Sequence, residues 1–346
     1  MKKASTAGVA AISAIEYHLP RGVLSTQQLA HERPEWSVEK IDAKTGIRDR
    51  HIAAGNECSS DLAVEAAHKL FRTGACDPGR VDYILFCTQT PDYFLPTTAC
   101  LIQTRLGIPR SAGALDYNLG CSGFVSGLGL AKGLIETGQA SSVLLLTAET
   151  YSKFIHDRDR CVRTLFGDAA AASLVTAVES PGHEFIGPFV YGTDGAGAEH
   201  LIVPAGGMRQ PRTPETAIES EDESGNVRSG NHLFMNGGEM FDFVLRTIPG
   251  CVGDLLERAG VPPERVDLFV FHQANGYILE HLRKRLKIPA EKFVVAMGHC
   301  GNTVSSTIPI ALKEALREGR LRPGQLIMLV GFGVGYSWSA ALVRWV

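Results

Sequence analysis

Short apolar runs rich in Val, Ile and Leu alternate along the chain with stretches whose apolar residues recur every three or four positions. That alternation marks a layered α/β protein with buried sheets. In the first half it predicts strands near 7–14, 81–88, 113–118, 142–148 and 168–177, and helices near 60–74, 96–106 and 121–137. The second half predicts strands near 184–192, 266–271, 292–297, 325–331 and 338–345, with helices near 237–259, 274–286 and 304–318. The first apolar run, 7–15, suits a buried strand better than a signal peptide, because Glu16 follows it directly and no second apolar stretch is present. The polar stretch from Ala205 to His232, with Pro211, Pro214 and an acidic cluster at Glu219–Glu223, reads as a solvated surface loop.

The two halves echo each other. Arg80-Val-Asp82 precedes an apolar strand ending in Cys87-Thr-Gln-Thr90, and Arg265-Val-Asp267 precedes one ending in Phe271-His-Gln-Ala-Asn275. A second echo pairs Gly120-Cys121 and the helix after it with Gly301-Asn302 and its helix. Two copies of one supersecondary unit, residues 1–178 and 179–346, would pack about a pseudo-twofold axis with the turn at Glu179–His183 between them. Such packing brings Cys121, His272 and Asn302 together although they are far apart in sequence.

Composition narrows the function. A chain of 346 residues, 45% hydrophobic and 21% charged, is long enough to bury a large core. A formal charge of −3 supplies no field for nucleic acid or an anionic membrane, so any cationic docking surface must be local. No segment is apolar for long enough to span a bilayer. The eight cysteines show neither a CxxC pair nor a His/Cys ligand spacing, which points to reduced thiols in the cytoplasm and to no metal site or disulfide framework.

The chemistry gathers at four places. Leu115–Leu128 (LDYNLGCSGFVSGL) reads as strand, tight turn and helix, with Cys121 at the helix N-terminus, where unpaired N–H groups and the helix dipole favour thiolate. Its own backbone N–H is then an oxyanion donor. His272 directly follows an apolar strand, which aims its imidazole into a crevice at the strand's carboxyl end. Asn302 stands in a Gly/Ser/Thr-rich turn entering a helix, where alone it would be an N-cap. The glycines of Gly331–Gly335 follow a strand but open no helix, so they suit a bend near substrate rather than a nucleotide loop.

At these residues the chain resembles the thiolase-fold condensing enzymes, and within them the β-ketoacyl-[acyl-carrier-protein] synthase III family. The similarity runs from Lys44–Ile52 (KTGIRDRHI) through Phe94–Gln103, the Cys121 elbow, Phe166–Ala171 (FGDAAA), His272–Asn275 (HQAN) and Gly301–Thr303 to Ser339–Trp345. The resemblance implies a duplicated, five-layered αβαβα architecture with pseudo-twofold halves. It also implies an acyl-CoA primer loaded on Cys121, then decarboxylative condensation with a malonyl-thioester on acyl carrier protein. His272 and Asn302 would stabilise the enolate, and the Cys121 and Val334 backbone N–H groups would form the oxyanion hole, with no metal or redox cofactor. By the same resemblance Trp36, Arg160, Asn275 and Phe332 contact CoA or acyl chain, Leu95 caps the pocket of a homodimer mate, and Lys284 and Arg285 dock the carrier protein. Gly276-Tyr277, Val334 and Tyr336-Ser-Trp338 depart from the family pattern, the first by removing an arginine, and imply a specialised relative. A same-fold acyltransferase that passes the acyl group to an amine, hydroxyl or thiol is the alternative, and a non-catalytic acyl-binding subunit a remoter one.

Overall fold

A computed structural model of the chain describes residues 8–179 and 182–346. Ser180 and Pro181, in the turn expected to join the halves, lie outside the described residues, as does the start of the first apolar run. The elements run β1 (Val9–His18), β2 (Gly22–Ser25), α1 (Thr26–Glu32), α2 (Val38–Thr45), β3 (Asp49–Ile52), α3 (Ser59–Arg72), β4 (Tyr83–Cys87), α4 (Thr98–Arg105), β5 (Gly113–Tyr117), α5 (Gly123–Glu136), β6 (Ser142–Glu149), α6 (Arg160–Arg163) and β7 (Ala169–Val178). They continue with β8 (Ile186–Thr193), the short β9 (Leu201–Ile202), β10 (Ser220–Glu221), β11 (Val227–Arg228) and β12 (Phe234–Met235), then α7 (Gly237–Ala259), β13 (Leu268–Phe271), α8 (Gly276–Arg285), α9 (Thr307–Arg317), β14 (Leu326–Gly333) and β15 (Ser337–Arg344).

The first sheet has the order β1-β7-β6-β4-β5, the second β8-β15-β14-β13. Pairing directions repeat as well: antiparallel for β1–β7 and β7–β6 and parallel for β6–β4, as for β8–β15, β15–β14 and β14–β13. Period-two alternation sends each strand's side chains to two different cores. Leu85, Val143 and Leu145 of the first sheet, and Leu268, Val270, Ile327 and Leu329 of the second, enclose α5 (Phe124, Leu128) and α9 (Ile308, Leu312). Ile84, Phe86, Leu144 and Leu146 face α3 and α4 instead. Phe269, Phe271, Met328 and Val330 face α7 and α8. The result is five layers, αβαβα, with α5 and α9 buried between the sheets. Each fully buried aliphatic or aromatic side chain of those central helices contributes about 1.5–3 kcal/mol relative to exposure.

One expected strand is absent. Residues 292–297 form only an isolated parallel bridge, Phe269 to Phe293, where the first sheet has β5. Gln273 explains the loss: its Nε2 donates to the Val294 carbonyl (3.2 Å) and its Oε1 accepts the Ala296 N–H (2.8 Å), so a side chain takes the place of a ladder. The stretch Ala205–His232 is largely exposed, as expected of a surface loop, with one addition. Part of it folds as the β10–β11 hairpin, held by Arg228 on Asp159 (2.7 Å) and by the Val227 N–H on the Arg158 carbonyl (3.2 Å).

Candidate active site

Cys121, His272 and Asn302 all line one cavity of about 810 Å³, whose wall also includes Phe332, Phe166, Met240, Phe241 and Val244. Its rim carries Lys40 and Lys44 of α2, Arg160 of α6, Ser224 and Asn226 of the β10–β11 hairpin, and Asn275 and Tyr277. An apolar tunnel with three convergent polar groups and cations at its mouth suits an acyl chain attached to an anionic carrier.

The Cys121 elbow is built by close backbone approach. A Cβ on Gly331 would lie 2.8 Å from the Cys121 carbonyl oxygen, and one on Gly333 would lie 2.8 Å from Cys121 Sγ. Only glycines let the end of β14 pass that near. Ser339 Oγ donates to the Ser122 carbonyl (2.9 Å), fixing the turn to β15. The expected thiolate is corrected: α5 begins at Gly123, beyond Cys121, and burial, with Glu149 second, pushes the thiol up to about 12. The backbone N–H groups of Val334 and Cys121 itself pull the other way by pointing at the sulfur. At rest Cys121 is a protonated thiol with two N–H donors beside it.

His272 continues β13, its N–H donating to the Val330 carbonyl (2.8 Å), and its ring stands edge-on to Phe332 at 5.5 Å between centroids. Burial lowers its pKa to about 3, so the imidazole is neutral at physiological pH. Asn302 is held through its backbone by a bridge to Phe166: its N–H donates to the Leu165 carbonyl (2.9 Å), and its carbonyl accepts the Gly167 N–H (3.0 Å). Gly301 before it has φ 77°, the left-handed conformation that glycine adopts without strain. The Asn302 Oδ1 accepts the Val304 N–H (3.0 Å) and its Nδ2 donates to the Ala274 carbonyl (3.3 Å), so its other amide proton is free for a ligand.

Other expected residues divide. Arg160 and Phe332 line the cavity. Asn275 lines it while its Oδ1 caps α8 on the Ile278 N–H (2.8 Å). Trp36 is a correction: its indole is buried with Leu29 and Ile41 in the small core under α1 and α2 and does not line the cavity. Apolar packing has claimed the ring, and Lys40, Ile41 and Lys44 face the cavity instead. Leu95 is 82% exposed, beside exposed Tyr93 and Phe94. Lys284 and Arg285 are exposed on α8, Lys284 pairing with Glu280 at 3.2 Å.

Glu149 was not foreseen. It ends the fully buried strand β6 and accepts from the Gln89 N–H (3.0 Å), Thr90 Oγ1 (3.2 Å) and Ser305 Oγ (3.0 Å), with burial pushing it up to about 8. A carboxylate closing a strand whose other residues carry no charge was the available signal. Nothing in the sequence pattern singled out Phe241, which lies 5.4 Å from Tyr277 between ring centroids.

The sequence profile of 3-oxoacyl-[acyl-carrier-protein (ACP)] synthase III matches residues 115–195, and that of its C terminal matches residues 256–345. The chain is 40% identical over 335 residues to β-ketoacyl-[acyl-carrier-protein] synthase III of Symbiobacterium thermophilum, covering 96% of this chain and 97% of that one. It is 39% identical over 329 residues to the same enzyme of Caldanaerobacter subterraneus subsp. tengcongensis, covering 95% of each. Among solved structures, a 3-oxoacyl-(acyl-carrier-protein) synthase III with 57% identity superimposes with a TM-score of 0.96 over 97% of this chain and all of the other.

Proposed function

Since the chain belongs to the β-ketoacyl-[acyl-carrier-protein] synthase III family and is an acyl-transferring condensing enzyme, we propose a specific division of labour among its residues. Cys121 takes the acyl group from acyl-CoA, forming an enzyme thioester and releasing CoA. A malonyl-thioester, carried on acyl carrier protein, then enters with its thioester carbonyl oxygen facing His272 and Asn302. Loss of carbon dioxide leaves the bonding electrons on the α-carbon as an enolate, whose oxygen those two donors stabilise. The carbanion attacks the acyl-Cys121 carbonyl, the N–H groups of Cys121 and Val334 hold the resulting oxyanion, and the Cys121 sulfur is expelled. The product is a β-ketoacyl thioester two carbons longer. Written this way, the reaction consumes no metal or redox cofactor.

The observation that carries this reading is the convergence of Cys121, His272 and Asn302 on one cavity. A tunnel with Arg160, Lys40 and Lys44 at its mouth supports an anionic CoA carrier, with Asn275 and Phe332 along its path. Exposed Tyr93, Phe94 and Leu95 support a homodimer in which Leu95 reaches the mate's pocket. Lys284 and Arg285 are the proposed carrier-protein contacts. The repeated strand order supports the division at residues 178 and 179 into a half bearing the nucleophile and a half bearing His272 and Asn302. No helix among the described residues is long and apolar enough to cross a membrane, which accords with a cytoplasmic enzyme.

The test is intact-protein mass after incubation with a panel of acyl-CoAs, with Cys121→Ala as control, followed by a malonyl-thioester chase. The expected result is an adduct on the wild type alone, cleared by the chase with carbon dioxide release and a two-carbon-longer ketoacyl product. An adduct that only an amine or alcohol clears would replace condensation with simple acyl transfer.

A further inference from the structure

Three buried serines, Ser122, Ser337 and Ser339, join the Cys121 elbow to the hairpin between β14 and β15. Gly333 and Ser337 face each other across that hairpin, so Val334, Gly335 and Tyr336 form its turn. The Val334 N–H points at the Cys121 sulfur, and the Val334 carbonyl accepts from Ser337 Oγ at 2.8 Å. Ser337 Oγ also lies 2.7 Å from Ser122 Oγ, while Ser339 Oγ donates to the Ser122 carbonyl at 2.9 Å. Ser337 and Ser339 share one face of β15 and so grip the residue after Cys121 by its hydroxyl and its carbonyl. A hydroxyl has one proton to give. Were Ser337 to give its proton to Ser122, the Val334 carbonyl would meet a lone pair at 2.8 Å, and the Ser122 proton would lack an acceptor among the described residues. Ser337 therefore donates to the Val334 carbonyl and accepts from Ser122, which pairs every group.

We infer that Ser337 is a positioning residue: by donating to the Val334 carbonyl it sets the direction of the Val334 N–H, and Ser122 holds Ser337 in that donating orientation. This deepens the proposed oxyanion hole and rests on it. Val334 stands between Gly333 and Gly335, the latter with φ 134°, so neither neighbour restricts the turn by its own side chain. The restraint comes instead from the hydroxyl that pins the Val334 carbonyl. An oxygen that becomes negative as a thioester is attacked needs its N–H donor at hydrogen-bond distance, and a small misplacement of that donor is costly. Ser122 adjoins Cys121, so the same pair of hydroxyls fixes the sulfur and the Val334 donor relative to each other.

The measurement compares wild type, Ser337→Ala, Ser337→Thr, Ser337→Cys and Ser122→Ala in the intact enzyme. Two single-turnover reactions at the Cys121 sulfur are followed by intact-protein mass. One is acylation by the acyl-CoA that loads the wild type fastest, which passes through an oxyanion. The other is alkylation by iodoacetamide, which forms none and so reports the ionisation and access of the thiol. Ser337→Ala is expected to lower the ratio of acylation to alkylation rates by about tenfold, as for a weakened oxyanion donor. Ser337→Thr keeps the hydroxyl and is expected to hold the ratio within about twofold of wild type. Ser122→Ala is expected to lower it by less than Ser337→Ala and to add nothing in the double variant. A Ser337→Ala ratio equal to that of wild type overturns the inference, and so does a threonine variant as impaired as the alanine one. Should Ser337→Ala not fold, Ser337→Cys decides by the same ratio, since a thiol is a much weaker donor than a hydroxyl: an unchanged ratio again overturns the inference. A wild type that never takes up the acyl group overturns the functional reading itself, a result separate from one in which wild type and Ser337→Ala load equally well.

Discussion

The two halves of the molecule do the same work up to the ends of their central strands and different work beyond them. Asp82 and Asp267 follow 3-10 turns at Pro78–Arg80 and Pro263–Arg265, and each fastens the start of the next parallel strand. Asp82 Oδ2 accepts the Ser141 and Ser142 N–H groups at 2.7 and 3.0 Å, and Asp267 Oδ2 accepts the Leu326 N–H at 2.8 Å. Past β4 the first half adds a fifth strand, β5, and the Cys121 elbow. Past β13 the second half replaces the fifth strand with the Gln273 side chain and places His272 at the strand end. Gly120-Cys121 and Gly301-Asn302 then precede the paired helices α5 and α9, one placing a thiol on the cavity and the other a side-chain amide. Duplication thus preserved the framework contacts, and the chemistry differs where strands end and the backbone no longer dictates the side chain.

The largest way to break the comparison is to remove one member of the Cys121/Asn302 pair. Asn302→Ala is expected to cut condensation by about 10²–10³, the usual cost of one oxyanion donor, while leaving Cys121 acylation intact. Cys121→Ala is expected to abolish acylation. Separate mass and carbon dioxide assays read the two steps, and equal loss of acylation in Asn302→Ala would contradict the division between halves.

A smaller effect concerns Glu149, which has no counterpart on β14, where the strand runs on to Gly333. With its pKa raised to about 8, Glu149 is protonated below that pH and negative above it, and the negative charge raises the Cys121 thiol further. Alkylation of Cys121 by iodoacetamide should therefore match between wild type and Glu149→Gln at pH 6. Above pH 8 the variant should react faster, by about threefold for a screened carboxylate at short range. Identical pH profiles would exclude the electrostatic link.

The smallest expected effect sharpens the likeness of the halves. Asp82→Ala and Asp267→Ala should each lower stability in urea by about 0.5–1.5 kcal/mol, the net worth of a hydrogen bond whose N–H water can still reach. Asp82 serves two N–H groups and Asp267 one, so the first loss should be the larger.

Much of this was legible in the chain. The repeat of Arg-Val-Asp and the apolar periods located nine of the strands and the paired helices, since burial on both sheet faces leaves a continuous apolar run that sequence displays directly. Cys121, His272 and Asn302 stand out in the chain because each lies at a glycine turn or a strand end, and the structure puts all three on one cavity. The 292–297 strand does not form because a side chain from a separate segment, Gln273, satisfies the backbone that a neighbouring strand would have paired. Trp36 was misread because residue type and position cannot tell a stacking face from a packed one, and here Leu29 and Ile41 enclose it.

Sequence by itself determined the layered class, the duplication and the residue types able to perform acyl transfer, because these rest on local period and on the intrinsic chemistry of side chains. The tertiary structure decided the rest. It set the ionisation of Cys121 and His272, which depends on burial rather than on residue type. It brought Glu149, Ser337, Lys40, Lys44 and the β10–β11 hairpin to the site. Those placements come from contacts between segments far apart in the chain, and solvation and hydrogen bonding are properties of that assembled environment.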